Sequence, residues 1–160
     1  MDNVTLSHNK TLGDLGREAL WFTVHSLIAV AVLAVVVSTV MLFHPDPDAL
    51  HPKIFGTLLV FFIPLIAGFI INRWQQNDPA AYVWIAGLIV FAIVSVHVLD
   101  LPTGNGLCER CGATEKLWRT FFDITHGSGL MAGDGLLIGT WIPLSMIGYA
   151  LGAKSALREP

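Results

Sequence analysis

Residues 19–43 read ALWFTVHSLIAVAVLAVVVSTVMLF, and this stretch decides the fold class. It contains no Asp, Glu, Lys or Arg. A helix needs about 20 predominantly apolar residues to cross the hydrocarbon core of a bilayer, so the stretch predicts a transmembrane helix. The apolar region of a secretory signal has only about 7 to 15 residues, so we expect a membrane span here and not a cleaved leader.

The rest of the chain repeats this pattern. Hydrophobic residues make up 54% of the 160 residues and charged residues 13%, whereas a soluble domain carries about 25% charged residues. Three further apolar runs cover residues 54–71, 80–99 and 129–152. We therefore predict an all-α integral membrane protein. It has one four-helix transmembrane domain over 19–153, an N-terminal tail over 1–18 and a C-terminal tail over 154–160.

Polar residues and prolines separate the predicted helices. Asp78 followed by Pro79 predicts an N-cap with proline in the first helical turn. Pro64 and Pro143 lie inside the second and fourth apolar runs, where we expect them to kink the helices. Between the third and fourth runs, residues 114–125 place apolar and charged side chains on different sides of a helix. This pattern predicts a short amphipathic helix that lies in the membrane interface before the fourth span.

The distribution of Lys and Arg gives an orientation. An even number of spans puts both termini on one side, and five basic residues lie there against four on the other. The five are Lys10, Arg17, Arg73, Lys154 and Arg158, and the four are Lys53, Arg110, Lys116 and Arg119. Cytoplasmic loops of membrane proteins carry an excess of Lys and Arg. We therefore expect an integral protein of a bacterial inner membrane with both termini on the cytoplasmic side.

The reactive side chains of the sequence gather at the opposite, outer end. Cys108 and Cys111 are separated by two residues, and His97 and His126 flank them. A structural disulfide or a pair of ordinary thiols is the simplest interpretation, and an exchanging dithiol is another. The sharper alternative is a metal site with Cys108, Cys111, His97 and His126 as ligands. Covalent haem attachment is excluded, because the residue after Cys111 is Gly112 and not His.

Two polar residues fall inside or near the spans. His25 is interpreted as a hydrogen-bonding residue that pairs with Thr23, Ser26 or a neighbouring helix. A b-type haem is less favoured than a metal ion, because His25 and His97 lie near opposite membrane faces and cannot share one iron. Asp134 is a candidate intramembrane carboxylate, although an interfacial N-cap is the preferred interpretation.

Glycines mark the start of the fourth run. The pairs Gly129 with Gly133 and Gly135 with Gly139 have the small-xxx-small spacing that lets helices approach closely in lipid. We therefore expect these four glycines to serve helix packing.

No sequence motif identifies a reaction, so no catalytic residue is assigned and an enzyme is disfavoured. The net charge of -3 gives no support for nucleic-acid binding. We expect a non-catalytic accessory or structural subunit of a larger membrane complex, of the energy-converting or photosynthetic type, with lipid and other membrane subunits as partners. The alternative is a small membrane redox or metal-binding protein that uses the Cys108 and Cys111 pair with His97 and His126.

Overall fold

Helices form all the regular structure in the described part of the chain. The computed structural model describes residues 12–43, 50–101, 111–122 and 137–157. The α-helices are α1 (Leu12–Phe43), α2 (Leu50–Trp74), α3 (Trp84–Asp100), α4 (Ala113–Phe121) and α5 (Ile142–Leu157). A 3₁₀ helix (Asp78–Tyr82) precedes α3, and a π-helix (Leu137–Trp141) leads directly into α5.

Three helical segments in the described residues are long and apolar enough to cross a membrane. They are α1, the part of α2 from Lys53 to Trp74, and the 3₁₀ helix together with α3, from Asp78 to Asp100. The prediction of membrane-spanning helices is therefore confirmed for three segments. The predicted fourth span is described only from Leu137 onward, and the positions 129–136 lie outside the described residues.

The helices are longer than their apolar runs. The first helix begins at Leu12 instead of 19. Helical hydrogen bonding extends from the apolar run back through the more polar residues 12–18, since adding a residue to an existing helix is easier than starting one. Asp14 lies in its first turn, where a carboxylate complements the helix dipole. The second helix covers Leu50–Trp74 instead of 54–71, and Pro64 lies within it.

The start of the third span differs from the predicted cap. Asn77, and not Asp78, occupies the N-cap position, and it makes no side-chain cap hydrogen bond. Asp78 and Pro79 form the first turn of the 3₁₀ helix, and α3 begins after Val83. Proline in a first turn costs no hydrogen bond, because that N–H has no partner inside the helix.

The centre of the bundle is α5. It contacts α1, α2, α3 and the 3₁₀ helix. Nine of its 16 residues are buried, and most of these are small. They are Pro143, Ser145, Met146, Gly148, Tyr149, Ala150, Gly152, Ala153 and Ala156. Pro143 is the second residue of α5, and its missing N–H interrupts the regular hydrogen-bond ladder just after the π-helix.

The closest helix pair is α2 with α5. A side chain at Gly148 would meet the backbone of Phe61, and one at Gly152 would meet the backbone of Leu65 and Phe69. On the other helix, a side chain at Gly68 would meet the backbone of Tyr149 and Ala153. Three glycines therefore bring the two backbones into direct contact, the arrangement that strengthens helix packing in lipid.

Hydrophobic clusters lie at both ends of the bundle. At the end formed by the 3₁₀ helix, called here the 3₁₀ end, Ala29, Val83 and Tyr149 belong to one buried cluster. At the other end, called the α4 end, Val98 and Phe121 belong to a second. A third cluster lies where α1, α2 and the π-helix meet, and it includes Leu33, Val36, Val60 and Trp141.

Candidate functional site

The amphipathic helix α4 packs across the end of α3. Phe121 is 4% exposed and Cys111 9%, and both belong to one buried cluster with Val94 and Val98 of α3. Trp118, on the outward side, is 61% exposed. The predicted amphipathic helix over 114–125 thus appears as Ala113–Phe121, and its buried residues are Lys116, Thr120 and Phe121.

A lysine ties α4 to α3. The buried Nζ of Lys116 donates hydrogen bonds to the carbonyl oxygens of Leu99, at 3.2 Å, and Leu101, at 2.5 Å. These carbonyls belong to the last turn of α3 and the residue after it, where backbone acceptors lack helical donors. A cation at this position also complements the negative end of the helix dipole. Lys116 is therefore a C-terminal cap for α3, supplied by another helix.

The start of the π-helix segment adds a second contact to α4. The hydroxyl of Thr140 donates to the carbonyl oxygen of Phe121 at 2.6 Å. A side chain at Gly139 would lie 2.8 Å from the ring of Phe121, so this glycine lets the ring approach. Of the four glycines proposed for packing, Gly139 contacts α4, while Gly129, Gly133 and Gly135 lie outside the described residues, as does Asp134.

Two of the four proposed metal ligands are described. Cys111 is buried beside Val98, whereas His97 is exposed, about 100° further round the helix. Cys108 and His126 lie outside the described residues. Within 12–43, 50–101, 111–122 and 137–157, no three His, Cys, Asp or Glu side chains form a group that could hold a metal ion. The four-residue metal site stays a prediction, and so does the disulfide.

The bundle interior contains a polar pair that links α1 to α5. The Nδ1 atom of His25 lies 2.7 Å from the hydroxyl of Tyr149, and both side chains are buried. The ring of Trp21 lies 6.0 Å from the ring of His25. Among the described residues, the Nε2 atom of His25 has no hydrogen-bond partner. Thr23 and Ser26 instead donate to backbone carbonyls of their own helix.

A second buried polar side chain lies near the same end of the bundle. Asn72 of α2 is fully buried, and its Nδ2 donates to the carbonyl oxygen of Gly68 at 3.0 Å. Within the part of the chain that the structure describes, its Oδ1 has no hydrogen-bond partner. Gly68 lies against the backbone of α5, and Asn72 is four residues later in the same helix. Both residues therefore occupy the side of α2 that faces α5.

No family model, curated protein or solved structure matches this chain. The function proposed below therefore rests on the geometry of this chain.

Sequence reasoning missed the residues that hold the bundle together. Gly148 and Gly152 have the same small-xxx-small spacing as the pairs chosen before them, so the signal was present in the sequence. Tyr149 lies between these two glycines, and nothing in its neighbourhood indicates a bond to His25, which is 124 positions away. The described polar side chains of the interior chiefly join helices or satisfy their own backbone. This arrangement suits a packing role.

Proposed function

We propose that this protein is a non-catalytic subunit of a larger membrane complex, of the energy-converting or photosynthetic type. The supporting observation is the low burial of the three segments that can span a membrane. In each of them only 22% of the residues in the spanning window are buried within the chain. The remaining apolar surface is available to lipid and to helices of other subunits.

One side of α1 supports contact with another helix. Ala31, Val35 and Thr39 line a shallow groove of about 340 Å³ that α1 forms with α2. These side chains are short, and short side chains allow a neighbouring helix to approach closely in lipid. The hydroxyl of Thr39 already donates to the carbonyl oxygen of Val35, so it brings no unpaired donor to such a contact.

The proposal includes a fourth span. The π-helix and α5 together run from Leu137 to Leu157, 21 residues in all. At about 1.5 Å per residue this segment is close to the thickness of a bilayer core of about 30 Å. Its composition is less apolar than that of the other spans because α5 is surrounded by helices and faces little lipid. With four spans both termini lie on one side, and the small excess of basic residues there supports our proposal that this is the cytoplasmic side of a bacterial inner membrane.

Mild extraction tests the subunit proposal. The chain is tagged at its chromosomal locus, extracted with a mild detergent and analysed by native electrophoresis and mass spectrometry. We expect a species much larger than the 17.4 kDa chain, with defined partner subunits at fixed stoichiometry. A monomer with no fixed partner would contradict the proposal. An isolated monomer that carries one metal ion or haem per chain would favour the redox alternative.

One observation supports the second candidate function, a redox or metal-binding protein at the α4 end. Cys111 belongs to the same buried cluster as Val98, the neighbour of His97 in sequence, so two of the four proposed ligands occupy the same end of the bundle. The simpler proposal for this end is a Cys108–Cys111 disulfide that fixes the start of α4. A Cys108→Ser and Cys111→Ser variant that retains assembly and complex activity would contradict the redox candidate.

A further inference from the structure

A groove runs between α3 and α5 on the outside of the bundle. At the 3₁₀ end it widens into a cavity of about 470 Å³ lined by Tyr82, Trp84, Leu151 and Lys154. Ile147 of α5 forms the inner end of this cavity. We call this feature, together with its continuation described next, the α3–α5 groove.

The groove continues toward the α4 end. A second cavity, of about 240 Å³, shares Ile147 with the first and is lined by Phe91, Phe121 and Leu144. Because both cavities share Ile147, they adjoin each other along α5, from Lys154 past Ile147 to Leu144. The second cavity is almost entirely apolar, whereas the first has a cation and two aromatic rings with polar atoms at its mouth.

This order of side chains matches the order of groups in a phospholipid. Lys154 is exposed and can contact a phosphate, while Tyr82 and Trp84 carry the amphipathic rings that settle at headgroup level. From Lys154 to Leu144 is ten residues of helix, or about 15 Å, which is half of a hydrocarbon core of about 30 Å. The apolar path is therefore as long as one leaflet is thick.

We propose that the α3–α5 groove binds one anionic phospholipid, with its phosphate at Lys154 and an acyl chain along Ile147 and Leu144. Charge complementarity favours a lipid over a helix of another subunit. A helix seated on the groove would cover Lys154 with apolar surface, and burying an unpaired ammonium group is costly. The proposal depends on membrane insertion and not on the subunit function, so either can fail without the other.

Lipid titration of the purified chain provides the test. The protein is delipidated in detergent and titrated with phosphatidylglycerol or with phosphatidylcholine, and bound lipid is counted by native mass spectrometry. We expect one phosphatidylglycerol per chain, bound more tightly than phosphatidylcholine. Lys154→Gln should weaken phosphatidylglycerol binding about five-fold, the factor that corresponds to about 1 kcal/mol for one cation near an anionic lipid surface. Raising the ionic strength should reduce this difference.

Matched variants distinguish lipid binding in the groove from general effects of surface charge and side-chain size. Arg17→Gln removes the same charge from the exposed N-terminal part of α1, outside the groove, and should leave binding unchanged. Ile147→Trp fills the junction of the two cavities and should reduce binding, whereas Ile66→Trp, on an exposed position of α2, should not.

Several outcomes would overturn the proposal. One is equal affinity for the two lipids, and another is an equal loss in Lys154→Gln and Arg17→Gln. Undiminished binding in a correctly folded Ile147→Trp variant would do so as well. Should Ile147→Trp fail to fold, the comparison of Lys154→Gln with Arg17→Gln decides the matter alone, because both positions are exposed.

Discussion

Gly152→Ala tests the direct backbone contact between α2 and α5. The added Cβ would overlap the carbonyl oxygen of Leu65, and it would lie 2.8 Å from the carbonyl carbon of Leu65 and 2.9 Å from the amide nitrogen of Phe69. Ordinary van der Waals contact begins near 3.4 Å, so the two helices must separate by about 1 Å or more. Both obstructing groups are backbone atoms, so no side chain can rotate away to make room.

The expected free-energy change follows from two opposing terms. A radial gap of about 0.5 to 1 Å forfeits roughly a quarter to a half of the dispersion attraction across an interface. Overpacking typically costs about 1 to 3 kcal/mol, and backbone obstruction places this site near the upper value. Alanine gains about 1 kcal/mol over glycine in helix propensity. We therefore expect Gly152→Ala to destabilise the bundle by about 2 kcal/mol.

The assay is reversible unfolding in mixed micelles. Far-UV circular dichroism and tryptophan fluorescence are followed while the mole fraction of sodium dodecyl sulfate is raised. Gly16→Ala is the matched control, because a Cβ at Gly16 meets no atom within 4 Å and should be neutral or stabilising by up to about 1 kcal/mol. A Gly152→Ala variant as stable as the wild type would refute the close contact between α2 and α5.

Three further substitutions test individual hydrogen bonds. Tyr149→Phe removes the partner of the buried His25 Nδ1, and a double-mutant cycle with His25→Leu should give a coupling of about 0.6 to 1.7 kcal/mol; zero coupling would contradict the bond. Lys116→Met removes both bonds to the end of α3, so amides of α4 should exchange with deuterium about five-fold faster, as about 1 kcal/mol predicts, while α5 amides are unchanged. An unchanged α4 rate would show that the lysine does not hold the helix. Trp141→Phe removes the 2.9 Å hydrogen bond from Nε1 to the hydroxyl of Thr57. It should destabilise the bundle by about 0.6 kcal/mol in the same micelle assay, and a stabilised variant would contradict that bond.

The sequence predicted the lipid-facing helices well because lipid imposes a simple length requirement. Residues 19–43 lie wholly within α1, and the boundaries differ mainly where helical hydrogen bonding continues into polar residues such as those of 12–18. The position of the amphipathic α4 was also predictable, but its packed side was not, because Lys116 and Thr120 are buried while Trp118 is exposed. In each case the information is local.

The helix partners could not be predicted in the same way. Gly148 with Gly152 has the same spacing as Gly135 with Gly139, and spacing alone does not indicate that Gly148 and Gly152 meet the backbone of α2. The pairing of His25 with Tyr149 depends on how α1 lies against α5, which no local pattern records. The sequence predicted Lys116 only as a charged residue at the membrane interface. Its carbonyl partners belong to α3, and the lysine reaches them only when α4 packs against that helix.

The native mass of the chain in a mild detergent tests the central proposal most directly. Only 22% of the residues in each spanning window are buried within one chain, and we propose that other subunits cover part of the rest. The subunit proposal predicts that all of the protein migrates in one larger assembly of fixed composition, and that Cys108→Ser with Cys111→Ser leaves that assembly intact. A monodisperse 17.4 kDa monomer that carries a stoichiometric metal ion or haem would contradict it.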